Sequence, residues 1–377
     1  MARRKRGPPT PDPTTFANQT AFRAMERRFK NRYKELDLHS VFDAASLHDA
    51  NSHGAVRVQL GVSLQPELKK AFPDIMAAAA TSTADHEPDS PAFVFPDFPG
   101  FIYLPSALPL ALQRHFLRTS LADYTRPANP SNLHAHWVIP PHGLWDEAKQ
   151  HRNDPELPLV PLCARDADPN TDTPPVHLTP LPAAVLLDRL RWCTLGYQYD
   201  WTTKSYLRAQ SAPIPHDLAT LARCVAIATE RLEATETEND STQLGTGYPG
   251  HAYTAQAGVL NVYGPRDALM GHVDKSERDL TPPLVSLSLG ADAIYLQGGK
   301  DRDVRPIPIR VRSGDLVVMS GEARTAFHGL PRTLEGTYPP GLLESKEDDD
   351  VDWHMCVEFM LRRDVRVNLN VRQVFAE

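Results

Sequence analysis

Two different spacings of apolar residues divide this chain. Between Thr15 and Tyr33, aromatic and methionine side chains recur at steps of three and four with basic residues between them, which predicts an amphipathic helix. Such a helix either packs on the body of the protein or lies against an anionic partner, and we expect packing. The same spacing predicts helices over Ala107–Ala122 and Pro215–Glu233.

After Leu187 the pattern changes to short β-rich runs with Gly and Pro between them. Many short strands at close intervals indicate an all-β sandwich or barrel. The predicted strands are Arg191–Tyr199, Gly258–Tyr263, Leu284–Leu289, Ala293–Gln297, Ile307–Val311, Asp315–Met319, Cys356–Leu361 and Val365–Val374.

Other stretches carry less regular pattern. Phe93–Leu104 is strand-like, residues 76–91 are typical of a linker, and the proline-rich residues 127–182 are expected to wrap over the core. These differences predict three segments. They are 1–90, a basic N-terminal extension with a helix and a linker; 91–190, an N-terminal wrap with the Pro-rich segment; and 191–377, a β-rich core.

Composition excludes several classes of protein. Of 377 residues, 41% are hydrophobic, which is enough for a sizeable core and excludes disorder of the whole chain. No run reaches the roughly 18 apolar residues of a membrane span, so no membrane partner is expected. The four cysteines lie far apart without CxxC spacing, which argues against a disulfide scaffold or a zinc module and fits a reducing compartment.

Charge is distributed unevenly along the chain. Residues 1–34 hold ten Lys and Arg against Asp12 and Glu26, which is +8, whereas the other 30 basic and 45 acidic residues give −15. A basic arm on an acidic body indicates a targeting tail, a nucleic-acid contact or a solubilising tail. The start, Met1–Arg6, is similar to a short nuclear signal, so we expect the nucleus, with mitochondrion and cytoplasm as alternatives.

One set of residues has metal-ligand chemistry. His272 and Asp274 are two positions apart, so on a strand both side chains project to one face. Together with His328 they form the two-histidine, one-carboxylate set typical of non-haem iron(II), which leaves three adjacent coordination positions open. The alternative is that His328 is an ordinary loop histidine.

The last predicted strand alternates strictly between polar and apolar residues. Valine and leucine occupy one face, so the simplest interpretation is an edge strand with its polar face in water. In a barrel, the polar face would instead line a cavity, where two arginines would need an anionic ligand such as a small dicarboxylate. Asn261 and Tyr263 share a face and would add hydrogen-bonding groups to the same cavity. The polar residues of the strand are Arg366, Asn368, Asn370 and Arg372.

On these residues the chain resembles the AlkB family of iron(II)/2-oxoglutarate-dependent dioxygenases, and is most similar to its first eukaryotic homologue subfamily. The resemblance covers Leu187–Phe375, about half of the chain. The motifs that carry it are Arg191–Trp201, Asn261–Tyr263, His272–Asp279, Ser286–Gly290, Gly298–Gly299, Ser313–Asp315, Met319–Gly321, His328 and Arg366–Arg372.

The resemblance implies a fold, cofactors and roles. The fold would be mostly β with flanking helices (α+β), with a double-stranded β-helix (jelly-roll) core and an N-terminal helical extension. The cofactors would be Fe(II), 2-oxoglutarate and O2. Arg366 would hold the distal carboxylate of 2-oxoglutarate. The iron ligands would be His272, Asp274 and His328, and the residues assisting around the cosubstrate would be Asn261, Tyr263, Asn368 and Arg372.

The chain departs from the family pattern at two positions. Ser276 stands where bacterial members often have Asp, close to the substrate, which suits the eukaryotic branch. Asn370 stands where Thr is usual, which keeps a polar side chain and leaves cosubstrate binding intact. These departures bear on substrate preference.

The implied function is oxidative demethylation of alkylated bases in nucleic acid, methyladenine in tRNA or DNA first. The target base must leave its stack, and aromatic side chains would contact it. Of four such aromatics we favour Trp192 and Tyr197 over Tyr199 and Trp201, and Ser276 would also lie near the substrate. Alternatives are hydroxylation of 5-methylcytosine or of a protein, and a non-catalytic binding module. The expected phosphate contacts are Arg191, Lys204, Arg208, Lys275 and Arg278.

Overall fold

The protein, in a computed structural model, is described for residues 20–46, 53–79, 91–163, 178–200, 203–234, 244–345 and 350–376. Within these ranges, none of the helices is long and apolar enough to cross a bilayer. The α-helices are α1 Ala21–Lys30, α2 Leu64–Ala71, α3 Pro73–Ala79, α4 Leu110–Ala122, α5 Leu144–Gln150, α6 Ala183–Leu187, α7 His216–Thr229 and α8 Val351–Arg363.

The strands form two facing antiparallel sheets and one short ribbon. The large sheet has the order β7-β6-β9-β16-β11-β14-β3-β2-β1-β8, the small one β10-β15-β12-β13, and the ribbon β4-β5. The strands are β1 Val56–Leu60, β2 Ala92–Val94, β3 Phe101–Leu104, β4 Leu159–Val160, β5 Leu181–Pro182, β6 Trp192–Asp200, β7 Ser205–Ser211, β8 Leu232–Ala234, β9 Ala257–Tyr263, β10 Leu269–His272, β11 Leu284–Gly290, β12 Ala293–Gln297, β13 Ile307–Val311, β14 Leu316–Met319, β15 His328–Thr333 and β16 Arg366–Arg372.

Eight of these strands make the jelly roll. Strands β9, β16, β11 and β14 lie side by side in the large sheet, and β10, β15, β12 and β13 make the small sheet. Along the chain these strands alternate between the two sheets, except that β12 and β13 both lie in the small one, which is the topology of a double-stranded β-helix. The predicted fold class is therefore confirmed. Strands β1, β2 and β3 extend the large sheet, so it takes strands from all three segments of the chain.

Strand β16 lies in the middle of the large sheet, between β9 and β11. Its apolar residues Val367, Leu369 and Val371 are buried in the main core, which helices α4 and α7 also line. Its polar residues project to the opposite face, toward the small sheet. The interpretation as an exposed edge strand is therefore wrong, because both edges of β16 are paired and both of its faces are covered.

The N-terminal helix packs on the small sheet, as expected. It begins at Ala21, where the Thr20 hydroxyl accepts a hydrogen bond from the Arg23 amide, and it buries Phe22, Met25 and Phe29 against the sheet. Two details differ from the expectation: Tyr33 is fully exposed, and Glu26 occupies the buried face. Residues 15–19 of the predicted helix lie outside the described ranges.

Several predicted elements are corrected by the structure. The run Cys356–Leu361 is part of helix α8, where burial at steps of three and four reflects helical packing. The predicted helix Pro215–Glu233 ends at Thr229, and its last residues enter β8, which pairs with β1. The strand-like Phe93–Leu104 is two strands joined by a turn, β2 and β3.

The expected linker and wrap contain regular structure as well. Of the linker at residues 76–91, the first four lie in helix α3, and residues 80–90 lie outside the described ranges. The wrap at residues 127–182 holds α5, β4, β5 and a 3-10 turn at Asn132–Ala135. Residues 164–177 of the wrap lie outside the described ranges.

Candidate active site

Two neighbouring strands bring the two histidines together. His272 ends β10 and His328 begins β15, and they are directly paired across the ladder. Their ring centroids are 4.3 Å apart, and Asp274 follows two residues after His272. The possible ligand atoms of all three residues lie within 4.8 Å of one another. The expected triad is thus assembled, and its donor set fits the iron(II) centre of non-haem oxygenases.

Main-chain carbonyls orient both imidazoles. His272 Nδ1 lies 3.0 Å from the Met270 carbonyl oxygen, and His328 Nδ1 lies 3.2 Å from that of Ala326. A carbonyl only accepts, so each Nδ1 carries the proton and each Nε2 presents its lone pair to the metal position. Nε2 of the two rings lies 3.8 and 4.0 Å from the oxygens of Asp274.

Electrostatics keep His328 and Asp274 in their ligating protonation states. Burial and the neighbouring His272 lower the pKa of His328 to about 4, so that imidazole is neutral at physiological pH. Burial by itself would raise the pKa of Asp274, but the charge of Arg372, together with the two histidines, holds it well below its usual value. Asp274 is therefore anionic and suited to a divalent cation.

A cavity beside the triad ends at Arg366. This guanidinium is buried, and burial lowers its pKa to about 10, so it stays charged at neutral pH. Arg366 Nη2 donates to Ser288 Oγ at 3.0 Å, while Nε and Nη1 have no partner among the described residues. Two orphaned, buried cationic donors fit a carboxylate, which supports the expected dicarboxylate site.

Polar and aromatic side chains complete the cavity. Asn368 donates to Ser286 Oγ at 2.9 Å, and Asn261 lies opposite Asn368 in the sheet register, on the same inner face. The residues that line the cavity are Tyr263, Leu269, His272, Ser286, Ser288, Tyr295, Val311, Val317, Met319, His328, Gly329, Leu330, Arg366, Asn368 and Asn370.

Arg372 contacts two carboxylates next to the triad. Its Nη2 lies 3.1 Å from Asp274 Oδ2, and its Nη1 lies 2.8 Å from Glu277 Oε1. Arg324 Nη2 approaches the other oxygen of Glu277 at 3.3 Å. Arg372 thus contacts an iron ligand and a buried carboxylate.

The paired parts of β6 and β7 beyond Gly196, residues 197–200 and 205–211, form a lid beside the triad. Strand β6 pairs with β9 up to Gly196 and with β7 from Tyr197 onward, so it leaves the large sheet at Gly196. The φ of Gly196 is +70°, and a Cβ there would lie 2.2 Å from the Gln256 carbonyl oxygen. Only glycine fits this bend.

Two of the predicted substrate contacts lie on this lid. Tyr197 packs edge-on against Phe375 with ring centroids 5.0 Å apart. The Tyr199 hydroxyl lies 3.1 Å from Ser276 Oγ, so the lid touches the loop that carries Asp274. Trp201 lies outside the described residues.

Trp192 lies at the other end of β6. In the register of the large sheet, Trp192 is paired with Asn261. Gly196 is paired with Ala257, which is in turn paired with Arg372 on its other side. The four-residue separation from Gly196 is about 13 Å along a strand. The register therefore sets Trp192 toward the Arg366 end of the cavity, while Tyr197 and Tyr199 lie toward the triad.

The expected phosphate contacts divide between two places. Arg208 and Arg278 both lie over the Phe375 ring, with guanidinium carbons 4.1 and 6.0 Å from its centroid, beside the lid. Lys275 is exposed next to Asp274. Arg191 instead lines a separate surface groove with Arg266 and Arg363.

Four residues of the site had no role in the sequence analysis. Tyr206 packs edge-on against Tyr199 at 5.3 Å on the lid, and the Tyr295 ring lies 6.2 Å from that of His328. Strand alternation in β12 could have pointed to Tyr295. Glu277 and Arg324 offered no local signal, because their contacts join distant segments.

Comparisons with known proteins agree with this site. Residues 166–372 match the 2OG-Fe(II) oxygenase superfamily. The DNA N(6)-methyladenine demethylase ALKBH1A of Arabidopsis thaliana is 31% identical over 95% of this chain and 97% of its own length. The nucleic acid dioxygenase ALKBH1 of Mus musculus is 32% identical over 95% of this chain and 85% of its own. The tRNA demethylase abh1 of Schizosaccharomyces pombe is 33% identical over 75% of this chain and 81% of its own length.

The family match covers more than half of the chain, and two of these relatives align over nearly all of it. The protein is accordingly an enzyme, a dioxygenase that uses Fe(II), 2-oxoglutarate and O2. The chain belongs to the 2OG-Fe(II) oxygenase superfamily and, within it, to the AlkB homologue 1 family.

Proposed function

We propose that this dioxygenase oxidatively demethylates alkylated bases in nucleic acid, with methyladenine in tRNA or DNA as the first candidates. The observation that carries the proposal is the triad itself, set between a cavity that ends in the orphaned donors of Arg366 and a lid of tyrosines. Relatives named as DNA and tRNA demethylases support the substrate class.

Each part of the site has a task in this reaction. His272, Asp274 and His328 would hold iron(II), which when bound activates oxygen with 2-oxoglutarate for oxidation of a methyl group. Arg366 would bind the distal carboxylate, with Tyr263, Asn261 and Asn368 beside it, and would fix which end of the cosubstrate faces the metal. Loss of formaldehyde from the hydroxylated N-methyl group completes a demethylation.

The lid would receive the substrate base. A base in a duplex is out of reach of a buried metal, so it must be extruded or come from a single strand. Tyr197 and Tyr199 offer aromatic surfaces near the triad, and the Tyr199 hydroxyl contacts Ser276 on the loop that carries Asp274. Trp192 would contribute from the far end of β6.

The direct test is succinate release with Fe(II) and 2-oxoglutarate, with and without oligonucleotides that carry one methylated adenine. We expect stimulation by the methylated strand and release of formaldehyde, both lost in His272→Ala. Stimulation only by 5-methylcytosine or by a protein would replace the proposal with the corresponding hydroxylase. No stimulation by any methylated nucleic acid would refute it.

We propose in addition that the basic residues Arg3–Arg6 direct the protein to the nucleus, where DNA repair or tRNA modification would take place. The support is the cluster of four cations in an acid-poor segment. A fluorescent fusion with these four residues changed to alanine should lose nuclear enrichment. Unchanged distribution, or mitochondrial localisation of the unmodified fusion, would contradict this.

A further inference from the structure

A buried cluster of four charges lies behind the iron ligand Asp274. Its members are two carboxylates, Asp274 and Glu277, and two guanidiniums, Arg324 and Arg372. The side chains of Glu277 and Arg324 are 0% and 1% exposed. Their ion pair is therefore not one of the surface pairs that contribute little to stability. Burying these charges is costly unless they are paired, which raises the question of what the arrangement achieves.

The cluster links three separate segments of the chain. Arg372 ends β16, and it bridges Asp274 at 3.1 Å and Glu277 at 2.8 Å. Glu277 lies three residues after Asp274. The amide of the following residue, Arg278, donates a hydrogen bond to the Val374 carbonyl oxygen. Arg324 comes from the 3-10 turn Gly321–Thr325.

Arg324 makes two contacts with the loop Asp274–Glu277. Its Nη2 lies 3.3 Å from Glu277 Oε2, and its Nη1 donates to the main-chain carbonyl of Asp274 at 3.5 Å. The 3-10 turn that carries it is fixed in turn, because the Ala323 amide donates to the Pro99 carbonyl. Four residues later the same segment supplies His328. Arg324 therefore connects the backbone that carries one ligand to the backbone that carries another.

We propose that Arg324 and Glu277 are positioning residues that hold Asp274 at its ligating distance from His328 before metal arrives. The inference rests on the iron ligands assigned under the proposed function. Partners that orient metal ligands typically change metal affinity 10–100-fold when they are removed. Neither residue is expected to alter the Michaelis constant for 2-oxoglutarate at saturating metal, because Arg366 is a separate anchor.

The sign of one substitution separates positioning from simple electrostatics. Arg324→Met leaves the cluster with two carboxylates and one guanidinium, a net negative charge that would attract a cation more strongly. If Arg324 acts by position, the same variant binds metal at least about 10-fold more weakly despite that charge. Glu277→Gln weakens binding under either account, so it serves as the companion variant.

The experiment measures Co(II) affinity of the full chain by calorimetry and by the visible absorption of the bound ion, without nucleic acid. Arg324→Met, Glu277→Gln and the double variant are compared with Arg310→Met. Arg310 lies on β13, and its Nη2 is 2.7 Å from a carboxylate oxygen of Asp292. Its replacement therefore tests the effect of removing a partly buried ion pair away from the triad. We expect weaker Co(II) binding in the first three and unchanged binding in Arg310→Met.

Non-additivity is the second expected result. Because both residues act through one chain of contacts, the double variant should bind Co(II) no more weakly than the worse single variant. The double variant also removes a cation and an anion together, so it should fold even where a single variant does not. Arg324→Lys should restore binding only in part, since an ammonium cannot contact Glu277 and the Asp274 carbonyl in the same forked geometry.

Three outcomes would overturn the proposal. They are tighter or unchanged Co(II) binding in Arg324→Met, an equal loss in Arg310→Met, or additive losses in the double variant. His272→Ala keeps this test separate from the iron assignment. If His272→Ala retains Co(II) affinity, the iron site itself is wrong; if it loses affinity while Arg324→Met does not, only the positioning role fails.

Discussion

Arg366 combines a cost in stability with a specific use. Its guanidinium is buried, and two of its three nitrogens have no hydrogen-bond partner among the described residues. Buried donors without partners destabilise a fold by about 1–3 kcal/mol each. The expected dicarboxylate would supply the missing acceptors, so the residue favours the bound form over the empty one.

Arg366→Met should therefore separate binding from folding. We expect the Michaelis constant for 2-oxoglutarate to rise at least about 100-fold, because each hydrogen bond to a charged group contributes about 1.5–3 kcal/mol. The free energy of unfolding without cosubstrate should be equal to or higher than that of the unmodified protein. Steady-state kinetics and urea unfolding check the two halves, and an unchanged Michaelis constant would exclude Arg366 as the anchor.

Asp315 offers a test of pH dependence at the same scale. Burial raises its pKa to about 6, even though its carboxylate accepts hydrogen bonds from the Tyr103 hydroxyl and from the amides of Ser106 and Arg312. In an unfolded chain the value is about 3.9. Between these values the folded state binds more protons than the unfolded state, so this group stabilises the fold at low pH and loses that contribution as pH rises through 6.

Asp315→Asn cannot titrate and should remove this dependence. The stability of the unmodified protein relative to the variant should shrink by up to about 3 kcal/mol between pH 4 and pH 7, since each pKa unit corresponds to about 1.4 kcal/mol. Urea unfolding of both proteins across this range measures the difference. A difference that stays constant or grows with pH would contradict the raised pKa.

At the scale of elements, the bend at Gly196 sets where the lid leaves the large sheet. Gly196→Ala places a methyl group against the Gln256 carbonyl and strains a φ of +70°. We expect the Michaelis constant for the methylated oligonucleotide to rise roughly 10-fold, because the lid would be misplaced. Binding of 2-oxoglutarate should be unchanged, because the residues that line the cavity lie on other strands than β6 and β7.

Gly336→Ala is the matched control for this prediction. Its φ is +68°, but a Cβ there meets nothing within 4 Å, so it carries the same backbone strain without the clash. If both variants lose the same substrate affinity, or neither does, the lid does not depend on the fit at Gly196.

Local patterns predicted those elements whose period is unambiguous. The strict alternation of Arg366–Arg372 placed its polar residues on one face, and the barrel fold decided that this face is internal. Cys356–Leu361 was misassigned because a short, mostly apolar run fits a strand or a helix. The signal that decides lies upstream of the run, where the Asp350 side chain accepts a hydrogen bond from the Trp353 amide and caps the helix. The pairing of Glu277 with Arg324 was beyond local pattern, since ion pairs between distant segments leave no period in a sequence.

For the whole molecule, the distribution of charge matters more than its total of −7. Exposed cations flank the triad and the lid, among them Lys275 and Arg278, on a body that is otherwise acidic. A local positive region of this kind can bind phosphates although the protein repels polyanions elsewhere.

Lys275→Gln combined with Arg278→Gln should weaken binding of a single-stranded oligonucleotide. Each lost phosphate contact should reduce the slope of log affinity against log salt by about 0.7, because fewer counterions are released. Arg152→Gln is the control, since Arg152 pairs with Glu358 on the helical side of the large sheet. Fluorescence anisotropy at several salt concentrations measures the slopes, and equal slopes would remove these two residues from the interface.

Strand β16 has a consequence for how this enzyme can vary in length. Its residues alternate between catalytic cavity and hydrophobic core along seven consecutive positions, paired on both sides. Deleting a single residue near its start would exchange the two faces, so that valines would enter the cosubstrate site and arginines the core. Within this strand, a change of one residue in length therefore exchanges cavity and core, whereas a change of two keeps the polar side chains on the cavity face.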